Sequence, residues 1–240
     1  SNVLFQDKSV KKAIAYGIDR KDIISKVYLN NAETVDVPIP SKSWLYDSTY
    51  RIYDYDVQRA VKLLKEAGWE DSNGDGVLEK DFNGNNVDLS FTILTNSDNG
   101  LRVDASNLIA KHLKDIGFQV QVEAFPWDIL KEERITKGEY DAVLTGYSLD
   151  SMLDLKSLLN SEWISYKSPE LDSLLENAVR SYTDEDRLAA YKEIQKYMTE
   201  ELPLISLYFR TGSLLVDSRV KNVENIDEIG TYKDIKNWFI

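Results

Sequence analysis

Asp71, Asn73 and Asp75 stand at alternate positions in "DSNGDG", residues 71–76, the spacing at which an EF-hand loop turns oxygens toward calcium. Gly76 falls on that loop's required glycine and Glu79 on its ninth position. The twelfth position is Phe82, so the bidentate glutamate that closes the calcium shell is absent, although Asp81 stands beside it. An Asn83-Gly84 turn and an alternating apolar run follow, where the motif requires a helix. Both departures favour a tight loop whose Asp and Asn side chains bond nearby backbone while its glycines take positive φ. The alternative is a weak structural calcium site formed by Asp71, Asn73, Asp75 and Glu79.

Other reactive groups are few. There is no cysteine, which removes disulfides, thiolate-bound metal and thiol catalysis together. The single histidine, His112, shares an apolar helical face with Ala105, Leu108, Ile109 and Ile116, which predicts a core or helix-edge imidazole with a hydrogen-bond partner. Neither a G-x-S-x-G elbow nor a glycine-rich phosphate loop occurs. Asp150 has the best position for chemistry. It follows "AVLTGY" by a few residues, where an open α/β sheet presents side chains to a cleft, and it could hold a ligand amine by a charge-assisted hydrogen bond. Tyr147 and Trp127 could add flat, amphipathic contact surface. A solvated loop acid or helix cap is the competing reading of Asp150.

The elements that would position these residues follow from periodicity and caps. Ser9 is the expected N-cap of a helix through "KKAIAYGIDRKDIISKVYL", and Asp56 caps "VQRAVKLLKEAG", which ends at Gly68. Between them, the aromatic-rich "VPIPSKSWLYDSTYRIYDYD" reads as a long loop crossing the surface. "VDLSFTIL", "FQVQVEAF" and "YDAVLTGY" read as strands, separated by a helix over 101–116 that Gly117 ends and a short helix in "WDILKEERITKG". That β-α-β-α-β order with short connections predicts parallel strands and a ligand site at their carboxyl ends, around 146–150. Ser168-Pro169 and Thr183 open two further helices, and "LISLYF" reads as a buried strand.

The 240 residues suffice for a sizeable core, and the simplest organisation is one α/β domain over 1–240. A net charge of −12 argues against nucleic acid or an anionic membrane surface as partner. No run approaches the roughly 18 apolar residues of a membrane helix. No basic-then-apolar leader opens the chain, and its start on structured sequence is expected of a piece of something larger.

Five segments, in order, resemble one family. They are "KSVKKAIAYGIDRKDII…VYLNNAETVDVPIP", "YDYDVQRAVKLLKEAGWEDSNGDG", "LRVDASNLIAKHLKDIGFQVQVEAF", "GEYDAVLTGYSLD" and "SPELDSLLENAV…DRLAAYKEIQKYMTEELPLISLY". The resemblance is to the extracytoplasmic oligopeptide-binding proteins, the solute-binding components of ABC importers. It implies a periplasmic-binding-protein-like α/β lobe with a parallel or mixed central sheet flanked by helices. This chain would be the second lobe of a hinged receptor, the first lobe lying outside it, with a membrane ABC permease as partner and no cofactor or catalysis. In peptide-binding members a glycine-aromatic-x-x-aspartate motif meets the ligand's amino terminus. Here it is Gly146-Tyr147-Ser148-Leu149-Asp150, with tyrosine for the usual tryptophan and "SMLDLKSLL" after it lacking the usual proline. Trp127 matches a cleft aromatic. The resemblance implies an extracytoplasmic location, periplasmic or as a membrane-anchored lipoprotein. It also makes the "DSNGDG" stretch a connector between a helix and a hairpin.

Two rivals belong to other classes: a hydrolase using Asp150 and Asp154 as an acid pair, and a calcium-stabilised interaction module.

Overall fold

In chain order the computed structural model has α1 (Lys8–Gly17), α2 (Arg20–Tyr28), β1 (Ala32–Thr34), α3 (Val57–Glu66), β2 (Glu79–Phe82), β3 (Asn85–Asp88), β4 (Ser90–Asn96), α4 (Gly100–Lys114) and β5 (Gln119–Phe125). Next come α5 (Trp127–Ile129), continued by a π-helical turn Leu130–Ile135, then β6 (Ala142–Val143), α6 (Leu155–Leu159), α7 (Pro169–Val179), α8 (Asp184–Glu201) and β7 (Tyr208–Arg210). The structure describes residues 2–82, 84–149, 153–159, 166–212, 214–223 and 234–240.

The expected parallel sheet is present, in the order β5-β4-β6. β4 is central, pairing Ser90–Asn96 with Gln119–Phe125 on one side and Ile93–Leu94 with Ala142–Val143 on the other. Phe91, Ile93 and Leu94 are buried, as a central parallel strand covered on both faces requires. The crossover from β4 to β5 is α4, begun by Asn99, whose side chain accepts from Arg102 N at 3.1 Å. Gly117, at φ +91, then reverses the chain into β5.

Four expectations change. The opening helix is two helices: Asp7, not Ser9, caps α1, and Asp19 caps α2 by accepting from Asp22 N at 3.0 Å. Gly17 ends α1 close to Ile116, where a Cβ would lie 2.5 Å from its Cδ1, and the extended Ile18 and Asp19 part the two helices. "VDLSFTIL" divides, because residues 85–88 pair back on β2 as a hairpin while Leu89, fully buried, turns the chain into β4. "LISLYF" is largely irregular, since Leu202 ends α8 at φ 47 and pairing with β1 begins only at Tyr208.

The fourth change concerns the loop after β1, which contributes to the core. Val37, Ile39 and Leu45 are buried against Leu171, Leu175 and Ile194 of α7 and α8 in a second apolar cluster. Gln195 supplies polar closure there, donating to Leu45 O at 3.0 Å and accepting from Asp47 N at 2.9 Å. The main cluster joins α1–α4 to the sheet through Ile23, Leu64, Trp69, Leu113 and Phe118.

Candidate functional site

The carboxyl end of β4 is where the sheet meets polar chemistry. Thr95 and Asn96 are buried there, and Thr95 Oγ1 donates to Leu144 O at 3.0 Å. Leu144 N in turn donates to Leu94 O at 2.9 Å, which carries the chain past β6 in register with β4. Arg102, in the first turn of α4, donates from Nη1 to Asn96 Oδ1 at 2.7 Å. Its other terminal nitrogen lies beside Gly146, where an added Cβ would stand 2.7 Å from Nη2. Strand end, helix start and Gly146 therefore form one polar corner.

Gly146, Tyr147, Ser148 and Leu149 all line a broad open cleft of ≈ 2330 Å³. Tyr147 is 43% exposed, and its hydroxyl donates to Ser157 Oγ at 2.7 Å, which holds the ring at the cleft edge. Leu149 packs against the second apolar cluster. Asp150 lies outside the described residues. Trp127 does not line this cleft; its backbone N–H donates to Asp98 Oδ2 at 2.7 Å. Asp154 Oδ1 accepts from Lys156 N at 2.9 Å at the start of α6.

Other parts of the cleft lining come from residues that sequence patterns did not single out. The Tyr28 and Tyr208 hydroxyls are 2.8 Å apart, with ring centroids at 4.7 Å. The Arg210 guanidinium sits 5.7 Å from the Tyr28 ring centroid. Burial, then the hydrogen bond with Tyr28, raises the Tyr208 phenol above its ordinary range, while Arg102 and Arg210 both pull it back down. Farther along, Lys8 Nζ pairs with Glu201 Oε1 at 2.5 Å and Lys11 stands 5.7 Å over the Tyr166 ring. Burial lowers the Lys11 pKa, its largest influence. Trp44, 54% exposed, lines the cleft as well. Tyr28 and Tyr208 are 180 positions apart, and only the β1–β7 pairing that brings their neighbourhoods together could have shown them.

The residues first considered for metal have other work. Asp71 accepts from Gly74 N at 2.6 Å and Gly76 N at 3.0 Å, Asn73 Oδ1 from Asp75 N, and Asp75 Oδ1 from Val77 N. Gly74 and Gly76 are at φ +83 and +87, and the loop joins α3 to the β2–β3 hairpin, as the turn reading expects. Glu79 is buried and accepts from Ser72 N and Ser72 Oγ. Among the described residues no group of His, Cys, Asp and Glu has the arrangement to hold a metal ion. His112 is buried, with Nε2 3.1 Å from Asp22 Oδ2, matching the helix-edge expectation. No described helix is long and apolar enough to cross a membrane.

Comparison with known proteins agrees with the fold. The family profile of the bacterial extracellular solute-binding proteins, family 5 (middle region), matches residues 1–167. The oligopeptide-binding protein AppA of Bacillus subtilis is 30% identical over the whole chain, which spans 45% of that relative. The heme-binding protein A of Haemophilus influenzae is 27% identical over 90% of the chain and 39% of its own length. Among solved structures, AppA from Bacillus subtilis in complex with a nonapeptide superposes with a TM-score of 0.77, at 27% identity, over 100% of this chain and 48% of AppA. The chain thus spans less than half the length of these relatives. With a matching profile over most of its length and an α/β fold shared with a solved member, the chain belongs to the bacterial extracellular solute-binding proteins of family 5.

Proposed function

We propose that the chain is the ligand-binding second lobe of an extracytoplasmic receptor that captures oligopeptides and delivers them to a membrane ABC permease. The observation that carries this reading is the position of Gly146–Leu149, which leave the end of a parallel sheet and line an open cleft. Similarity to proteins whose names state oligopeptide binding supports the ligand class. The whole of 1–240 acts as one lobe, a first lobe elsewhere in the same protein closes over the cleft, and no bond is made or broken. Asp150 takes the peptide's amino terminus, and Tyr147 and the backbone of Ser148 and Leu149 flank it. The lobe works outside the cytoplasm, free in the periplasm or held at the membrane by a lipid anchor.

Native mass spectrometry of the intact receptor tests this. Peptides carried through purification are the expected result. Turnover of a glycoside or peptide by the purified protein, with no retained ligand, would overturn it.

A further inference from the structure

Tyr147 and Ser157 join the end of the sheet to α6 through their side chains. The Ser157 hydroxyl donates to Asp154 O at 2.9 Å. A hydroxyl has one proton, so the 2.7 Å bond between the two side chains carries the proton of Tyr147. The anchor is a packed element. Asp154 accepts from Lys156 N at 2.9 Å at the start of α6, and Leu155 and Leu159 of α6 are buried in the second apolar cluster with Leu171 and Leu175 of α7. Leu149 and Leu153 pack against the same cluster, and the Tyr191 hydroxyl donates to Leu153 O at 2.5 Å. Tyr147 itself is 43% exposed and lines the cleft, so its ring stays open to a ligand. Its one donor is engaged. What it offers is a fixed, flat apolar face, against which a ligand carboxylate or carbonyl would find no hydrogen.

We propose that Ser157 is a positioning residue for ligand recognition. By holding the Tyr147 hydroxyl it fixes the ring as a flat wall, so that the receptor favours peptides placing an aromatic side chain there. A ring already held in place loses little further freedom when a second ring packs on it, and the aromatic contact adds to the area buried. The Tyr147–Ser157 bond lies within reach of water, which limits its worth to a few-fold in affinity. This preference rests on the receptor reading above and supplies the side-chain class of its peptides.

Calorimetric titration of the intact receptor with tetra-alanine, Phe-Ala-Ala-Ala, Ala-Phe-Ala-Ala and Ala-Ala-Phe-Ala is the test. One of the phenylalanine peptides is expected to bind about tenfold tighter than tetra-alanine. Ser157→Ala and Tyr147→Phe should each cut that advantage about threefold, and the double variant no further. Ser157→Thr, which keeps the hydroxyl, should preserve it. Tyr147→Phe makes the same test if Ser157→Ala does not fold. An undiminished advantage in Ser157→Ala overturns the proposal, as do additive losses in the double variant. So does a Ser157→Ala loss of equal size for all four peptides, the mark of a residue that only supports the loop. Equal affinity of the unsubstituted receptor for all four overturns the aromatic preference while leaving the receptor reading intact. Failure of all four to bind overturns both readings.

Discussion

Gly146 and Arg102 are fitted to one another: a Cβ at 146 would lie 2.7 Å from Arg102 Nη2 and 3.4 Å from its Cζ. The neighbour is the far end of a flexible side chain, so it can move at small cost. Gly146→Ala is expected to lower stability by only about 1 kcal/mol, the low end of the usual range for overfilling a rigid core. It should nonetheless displace the guanidinium from Asn96 and weaken peptide binding along the adjoining Gly146–Leu149 wall. Thermal melting and peptide titration on the same preparation separate the two effects; a large stability loss with unchanged affinity would contradict this account.

Asp150→Asn in the intact receptor should weaken free-amine peptides by about 2 kcal/mol, the cost of removing one partner of a hydrogen-bonded charge pair. N-acetylated peptides should bind the unsubstituted receptor about as weakly. Equal affinity for acetylated and free peptides would remove the amine-anchor role.

Arg20 and Asp36 form a buried pair, Nη2 to Oδ1 3.4 Å, each side chain 5% exposed. Arg20 also donates to the carbonyls of Ala15, Tyr53 and Ser206, and Asp36 accepts from the backbone of Ile52 and Tyr53. Together they tie α2 to both halves of the loop after β1. Asp36→Ala leaves a buried cation and two backbone donors without their acceptor and should cost about 3–5 kcal/mol. Urea denaturation measures it; a loss under about 1 kcal/mol would mean the pair is replaceable by water.

Gly117→Ala should be more damaging than Gly74→Ala, although both glycines have positive φ. At 117 a Cβ would meet Leu78 Cγ at 2.5 Å, whereas at 74 nothing lies within 4 Å. Backbone strain alone costs about 1–2 kcal/mol, and a core overlap adds a similar amount. Melting midpoints of the two variants should differ by several degrees; identical midpoints would show that Leu78 yields freely.

Alkaline solution should destabilise the protein. Burial, the largest cause in each case, raises the phenols of Tyr53, Tyr166 and Tyr208 above their ordinary value of about 10. The folded state therefore holds protons that the unfolded chain releases, so the stabilisation is complete below about pH 10 and declines as pH rises beyond it. Lys11, lowered by burial, works in the opposite direction, but Tyr16, Tyr46 and Tyr55 are raised as well and outweigh it. Melting between pH 8 and 11 should show a midpoint that is flat and then falls, with a shallower fall in Tyr53→Phe. A flat profile throughout would refute it.

The parallel sheet was legible because alternating apolar runs, glycine stops and short connections are local signals, and β4, β5 and α4 lie close to where they place them. Element limits were less so. Asp7 and Ser9 are both good caps in isolation, and the break between the helices lies in the extended Ile18 and Asp19, which the continuous apolar spacing did not announce. Val37, Ile39 and Leu45 read as loop residues because nothing in an irregular stretch announces the helices that will cover it.

For the site, sequence alone located one wall. The run from Gly146 to Leu149 is contiguous and follows a strand, so its place at the sheet's carboxyl edge follows from chain order. It also favoured, through the missing glutamate at Phe82 and the turn after it, a "DSNGDG" loop that bonds to itself over a weak calcium site, and the loop's hydrogen bonds follow that pattern. The tertiary structure decided the rest: that Tyr28 and Tyr208 meet with Arg210 over the Tyr28 ring, and that Arg102 reaches Asn96 and Gly146. The first four come from α2, α4 and β7, and no local spacing encodes a juxtaposition that exists only once β1 pairs with β7 and α4 packs beside α2.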